Sequence, residues 1–193
     1  FGAGCSRILR GMEDVGGGGE LHGTDIDRVA IRWSRRNIPW ARFGVNEGLP
    51  PFPYPDAHFD LLWGNSVFTH LDEAYQDAWL GEIARVMVPG GIVLLTVNGR
   101  KPWDGFVNSA PDSAGMKTYR ETFDHQGFLY VSEDSWTGIF PNFYHSMFHR
   151  KDYVLDHWAR FLEPVDYREQ GMLDFQDLVL LRKRPAGPEG VPA

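Results

Sequence analysis

The first residues that could do chemistry stand in "FGAGCSR", at the start of the sequence. Gly2 and Gly4 allow a backbone loop to approach a ligand closely, and in doubly wound folds such loops lie at the carboxyl ends of strands. An acid about 20 residues further on takes ribose hydroxyls there, and Asp25 of "GTDID" has that spacing. A nicotinamide dinucleotide needs a third glycine where Arg7 stands, which disfavours close contact of the helix with a pyrophosphate. The plainer readings are a tight turn for the glycines and a strand-end cap for Asp25, beside Asp27. His145 and His149 in "HSMFH" would share a face on a helix and could hold a metal, but no third ligand falls into place, so no metal is expected. Cys5, the single cysteine, reads as a small residue chosen for fit.

Positioning such groups requires a scaffold, and the chain alternates strand and helix signals. "LHGTDID" and "ARFGVN" read as strands, with the helix "DRVAIRWSRRN" between them and Asp27 as its N-cap. A short helix is predicted for residues 6–12, and a flexible loop for the four glycines that follow. "FDLLWGNSVF" has the nearly all-apolar character of a strand buried on both faces. A helix capped by Asp72 then runs to "PGG", and "IVLLTVN" follows as another buried strand. Residues 101–150 show no period and predict a lid. "KDYVLDHWARFLEP" reads as a helix and "QDLVLLRKR" as one final strand. The pattern predicts an α/β, doubly wound, mostly parallel Rossmann-like sheet with an inserted lid. One domain spans 1–184: a ligand-binding half to residue 100, the lid, and a C-terminal helix and strand over 151–184. Residues 185–193 form a disordered Pro/Gly-rich tail.

In order and content these segments resemble the class I S-adenosylmethionine-dependent methyltransferases from Phe1 to about Arg184. "FGAGCS" is similar to the family's first motif, acid-x-Gly-x-Gly-x-Gly, with Ser6 in place of the last glycine. The opening acid would fall one position before Phe1, so an apolar strand ending in Asp or Glu is expected directly upstream. The resemblance implies that Gly2, Ala3 and Gly4 line S-adenosyl-L-methionine, that Asp25 holds its ribose with Ile26 alongside, and that Asn46 and Glu47 stand near the adenine amino group. Asn46 could equally be a turn residue. "FDLLWGNSVFTHL" resembles the strand that passes beneath the methionine moiety, which places Asn65 and Ser66 there and His70 on the rim. "LGEIARVMVPGGIVLLTV" is the most recognisable stretch.

The family often carries Asn/Asp-Pro-Pro-aromatic after the fourth strand when it acts on amides or bases; "GNSVF" stands there instead, which favours a small-molecule acceptor such as a sugar or secondary-metabolite hydroxyl. A base for that hydroxyl must titrate near neutrality, so His145 or His149 is expected, with His70 next; His70 could also be held by backbone hydrogen bonds alone. Two rival classes are a nicotinamide-dependent oxidoreductase and a non-catalytic module that retains the fold. Net charge -7 without a dense basic run argues against a nucleic-acid partner, and no apolar stretch approaches a membrane span. One cysteine suits a reducing, cytoplasmic setting. Nothing in the sequence indicates the oligomeric state. Trp103, Phe106, Phe128, Trp136, Phe140, Phe143 and Tyr144 are read as lid core or substrate wall, with packing the default.

Overall fold

A computed structural model describes residues 1–14, 18–132 and 141–185. The chain forms two compact units, Phe1–Pro55 and Asp56–Ala193.

In the first unit, β1 (Leu21–Asp25) pairs in parallel with β2 (Ala41–Val45), and α1 (Arg28–Asn37) connects them. The Asp27 carboxylate caps α1, accepting from the Val29 and Ala30 N–H groups at 2.7 and 3.0 Å. The helix buries Ala30, Ile31 and Ser34, and Ile31 packs with Ile38 and Phe43. The helix expected over 6–12 is reduced to a 3-10 turn at Leu9–Gly11. Ser6 explains the loss: it holds a left-handed φ of 56°, and its hydroxyl pairs with that of Ser34 at 2.9 Å, so helical geometry cannot begin there.

The second unit is built on a sheet ordered β3-β4-β8-β7. β3 (Phe59–Gly64) and β4 (Met87–Val97) are parallel, joined by α2 (Glu73–Val86). Asp72 caps α2 through the Tyr75 N–H, and Trp79, Leu80, Ile83 and Val86 form its buried stripe. "PGG" does not separate helix from strand as expected. β4 already begins at Met87, and the pairing slips from Phe59–Met87 to Leu61–Ile92, so the Pro-Gly-Gly bulge lies inside the strand.

The predicted lid is not aperiodic. It contains α3 (Arg100–Ser109), α4 (Met116–Gln126) and an antiparallel pair, β5 (Phe128–Val131) with β6 (Ser146–His149). Trp103, Phe123, Leu129, Val131 and Phe148 form its core, with Phe106 packed against them. Gly127, at φ 72°, ends α4 as a left-handed cap. Then α5 (Lys151–Trp158) leads into two strands where one was expected: β7 (Glu163–Met172) and β8 (Gln176–Arg182). β8 runs antiparallel to both β4 and β7, so the parallel pairings are β1–β2 and β3–β4. Among the described residues, no helix is long and apolar enough to cross a membrane. The expected disordered tail lies, from residue 186 on, outside the described residues.

Gly99, two residues after β4, packs against Asp177 near the start of β8, so that a Cβ there would fall on the Asp177 carboxylate oxygen. The carboxylate is only 2% exposed and is held by the Tyr167 hydroxyl and the Gln170 N–H, at 2.6 and 2.7 Å. It cannot swing aside without stranding those donors. Gly99→Ala is therefore expected to lower unfolding stability by about 1–3 kcal/mol, the usual cost of overpacking. Urea unfolding measures this, and an unchanged midpoint would show that the two groups can separate freely.

Candidate cofactor site

In the first unit, the glycine loop is seated on the end of β1. The Ala3 N–H donates to the Thr24 carbonyl at 2.9 Å, and the Gly4 N–H donates to Asp25 Oδ2 at 2.7 Å. Gly2 and Gly4 have φ of 68° and 51°, which only glycine adopts without strain, so both are required by the turn itself. Asp25 Oδ1 accepts from the Asp27 N–H at 2.8 Å. A carboxylate offers about four lone-pair sites, so Asp25 can anchor the loop and still accept from the two hydroxyls of a diol.

Asn46 follows β2 beside it, with its N–H on the Asp25 carbonyl at 3.2 Å. Its amide NH2 donates to the Glu47 carbonyl at 2.8 Å. Its Oδ1 is buried and has no hydrogen-bond partner among the described residues, in a side chain only 4% exposed. A buried acceptor without a donor is costly, and an exocyclic amino group is the donor it fits. Ile26 presents an apolar side chain 36% exposed. Glu47 points away into solvent and pairs with Arg28 at 2.9 Å. These groups together suit an adenosine, with the Asn46 acceptor as the polar test of the fit.

In the second unit, Asn65 and Ser66 follow β3. Ser66 has φ 56°, its N–H donates to Thr96 Oγ1 at 2.7 Å, and its hydroxyl donates to Gln176 Oε1 at 2.9 Å. Asn65 donates to the Ser66 hydroxyl at 3.3 Å, and its own Oδ1 is buried with no partner among the described residues. Thr96 and Gln176 were not found from sequence, since nothing local marks residues 30 and 110 positions away from Ser66.

The histidines separate into two places. His70 lies with its Nδ1 2.9 Å from the His145 carbonyl, and its ring stacks on Tyr144 at 3.9 Å and 15°. His145 donates through Nε2 to the Asn142 carbonyl at 2.8 Å, and its N–H to the His70 carbonyl at 3.2 Å. His149 is elsewhere, fully buried beneath α2. Both N–H bonds of the Gln76 amide go to the carbonyls of Phe68 and Leu71, at 2.9 and 2.8 Å. Its Oε1 is thus left to accept from His149 Nε2 at 3.2 Å. "HSMFH" is strand β6 and the turn before it, so the helical pairing of His145 with His149 does not form; among the described residues no His, Cys, Asp and Glu group is suited to a metal. Phe143 stacks on Tyr75 at 4.9 Å, Phe128 is buried, and Trp136 and Phe140 lie outside the described residues.

Burial lowers the His149 pKa from the ordinary 6.5 to about 3, and nearby His157 adds to the lowering. The folded chain binds this proton less tightly than the unfolded chain. The stability contributed by neutral His149 is therefore complete above about pH 6.5 and drains away as the pH falls toward about 3, by roughly 1.4 kcal/mol per unit. His149→Phe should flatten the acid limb of stability between pH 6 and 4 by about that slope. Urea unfolding across the range tests it; identical slopes for both proteins would exclude His149 as the group responsible.

Residues 1–95 match the family model described as a methyltransferase domain. The matched stretch carries the glycine loop, Asp25, Asn46, β3 and most of β4. Among solved structures, the chain is similar to an S-adenosylmethionine-dependent methyltransferase of Methanosarcina mazei: 17% identity, 96% of this chain and 91% of that chain covered, TM-score 0.62. One from Mesorhizobium loti is 12% identical over 94% and 88% of the two chains, also at TM-score 0.62. Human N-acetylserotonin methyltransferase, solved with S-adenosylmethionine, is 13% identical over 95% of this chain and 46% of its own, at TM-score 0.56. At such identities the structures speak for the fold, and the family match speaks for the chemistry. The first half of the chain thus matches a methyltransferase domain, and the chain has the fold of S-adenosylmethionine-dependent methyltransferases. The methyltransferase-domain match disfavours the nicotinamide reading, and the S-adenosylmethionine in the human structure is that protein's ligand.

Proposed function

We propose that this methyltransferase acts on a small-molecule acceptor through a hydroxyl oxygen, with His70 removing the hydroxyl proton. The observation that carries the reading is the lock on His70. A carbonyl can only accept, so the bond to His145 puts the proton of the neutral ring on Nδ1 and the lone pair on Nε2. Stacking on Tyr144 fixes the plane in which that lone pair lies. In that tautomer Nε2 is the ring atom that can take up a proton.

The cofactor, when bound, supplies a methyl group already activated on a sulfonium. The work left to the chain is to bind, align and exclude water. Asp25 would accept from the ribose hydroxyls, Asn46 Oδ1 from the adenine amino group, and the loop at Gly2, Ala3 and Gly4 would pass close to the cofactor. Asn65 and Ser66 are the residues assigned to the methionine moiety. As the acceptor oxygen attacks, His70 Nε2 would take its proton, and the His145 carbonyl would stabilise the resulting imidazolium through Nδ1–H. In this reading His145 positions His70 rather than acting itself, and the burial of His149 suits packing. Neither the net negative charge nor the "GNSVF" stretch favours a nucleic-acid or protein-amide acceptor.

A screen of hydroxyl, amine and thiol compounds with methyl-labelled S-adenosylmethionine tests the proposal. Labelled methyl ethers would support it. Transfer confined to amines would overturn the hydroxyl reading, because an amine that is neutral at the working pH needs no such base.

A further inference from the structure

The hairpin between β7 and β8 turns at Met172–Phe175, closed by the Phe175 N–H on the Met172 carbonyl at 3.1 Å. Both central residues have positive φ, 54° at Leu173 and 50° at Asp174, the pattern of a type I′ turn. Asn and Gly fill such turns, because a bulky side chain on a left-handed residue crowds its own backbone. Leu173 gains nothing from packing in return. It is 89% exposed, and Phe175 next to the turn is 50% exposed.

The tip is nevertheless firmly held. Gln176 accepts from the Ser66 hydroxyl at 2.9 Å, Lys101 of α3 donates to the Asp174 carbonyl, and the Gln170 N–H donates to Asp177 at 2.7 Å. The register of β8 on β4, with Asp177 opposite Val97, carries the tip to the carboxyl ends of β3 and β4. That is the end where sheets of this kind bind ligands. Backbone strain and an exposed apolar side chain thus coincide at one anchored position, and the fold requires neither.

We propose that Leu173 and Phe175 form an apolar contact for the methyl acceptor, so that the acceptor carries an aliphatic or aromatic portion beside its hydroxyl. This rests on the small-molecule reading given above. The hydrogen bond from Ser66 to Gln176 makes the tip continuous with the residues assigned to the cofactor's methionine, which favours the acceptor over a separate partner.

The test uses Leu173→Asn, whose side chain tolerates the turn, and the double variant with Phe175→Ser. Leu173→Asn should raise Tm by about 2–4 °C and leave S-adenosylmethionine binding unchanged. A fall in Tm would overturn the strain argument. Calorimetry with 4-alkylphenols, ethyl through hexyl, at saturating S-adenosylhomocysteine then reads the contact directly. Wild-type affinity should rise about fourfold per added CH2, and the rise should flatten in the double variant. No rise in the wild type, or equal rises in both proteins, would overturn the proposal. Equal rises together with loss of binding to phosphatidylglycerol vesicles in the variant would assign the tip to a lipid surface instead. Failure of the methyltransferase reading shows separately, as a wild-type chain that transfers no label to any hydroxyl compound.

Discussion

Asp25→Ala should lower S-adenosylmethionine affinity by about two orders of magnitude while the fold persists. A hydrogen bond to a charged acceptor contributes roughly 1.5–3 kcal/mol, so loss of the ribose contacts alone is worth about ten- to a hundredfold. The structure adds a second loss. The same carboxylate holds the Gly4 N–H and the Asp27 N–H, so its removal frees the glycine loop from β1 as well as emptying the ribose position. The core beneath, formed by Ile31, Ile38 and Phe43, does not involve the carboxylate, which is why stability should suffer little. Asp25→Asn separates the two roles, since its NH2 would face a backbone donor while its remaining oxygen still accepts. Calorimetric titration gives both affinities. Binding within twofold of wild type in Asp25→Ala would remove Asp25 from the site.

The second large effect is expected at His70. His70→Ala should reduce turnover of a hydroxyl acceptor by at least about a hundredfold, the lower end of what a positioned base contributes. Cofactor affinity should stay the same, since no cofactor contact is assigned to the ring. Loss of the imidazole also removes the stack on Tyr144, so a structural effect has to be told apart from a chemical one. The pH profile does this: loss of a base abolishes the acid limb of kcat, whereas a loosened loop lowers kcat evenly across pH. Asn142→Ala leaves its carbonyl in place and serves as a neighbouring control for the loop. Normal turnover in His70→Ala would mean that alignment of the acceptor is sufficient without a base.

The candidate residues of the two units differ in how far along the chain their partners lie. Asp25, Asp27 and Gly4 act through a contiguous strand–helix–strand run, in which glycine spacing, one capping acid and the apolar stripe of α1 are all written locally. The lid was harder to read. Its helices are short, and Trp103, Phe123 and Phe148 meet from three different elements, so no single window shows a period. β7 was missed because it lies at the sheet edge and buries a single residue, leaving no apolar alternation. Gly127, the left-handed cap of α4, was a local signal there that the sequence reading did not use.

By itself, then, the amino-acid sequence determined the alternating α/β order, the pairing of the glycine loop with Asp25, and the family that those motifs resemble. Those features depend on conformational preferences and periodicities that act over a few residues. Only the tertiary structure decided which histidine faces which partner: His70 and His145 are 75 residues apart, and Ser66 and Gln176 are 110 apart. Such pairs are set by strand register and by where the lid hairpin folds back. Those depend on burial summed over many distant side chains, so no local pattern carries them.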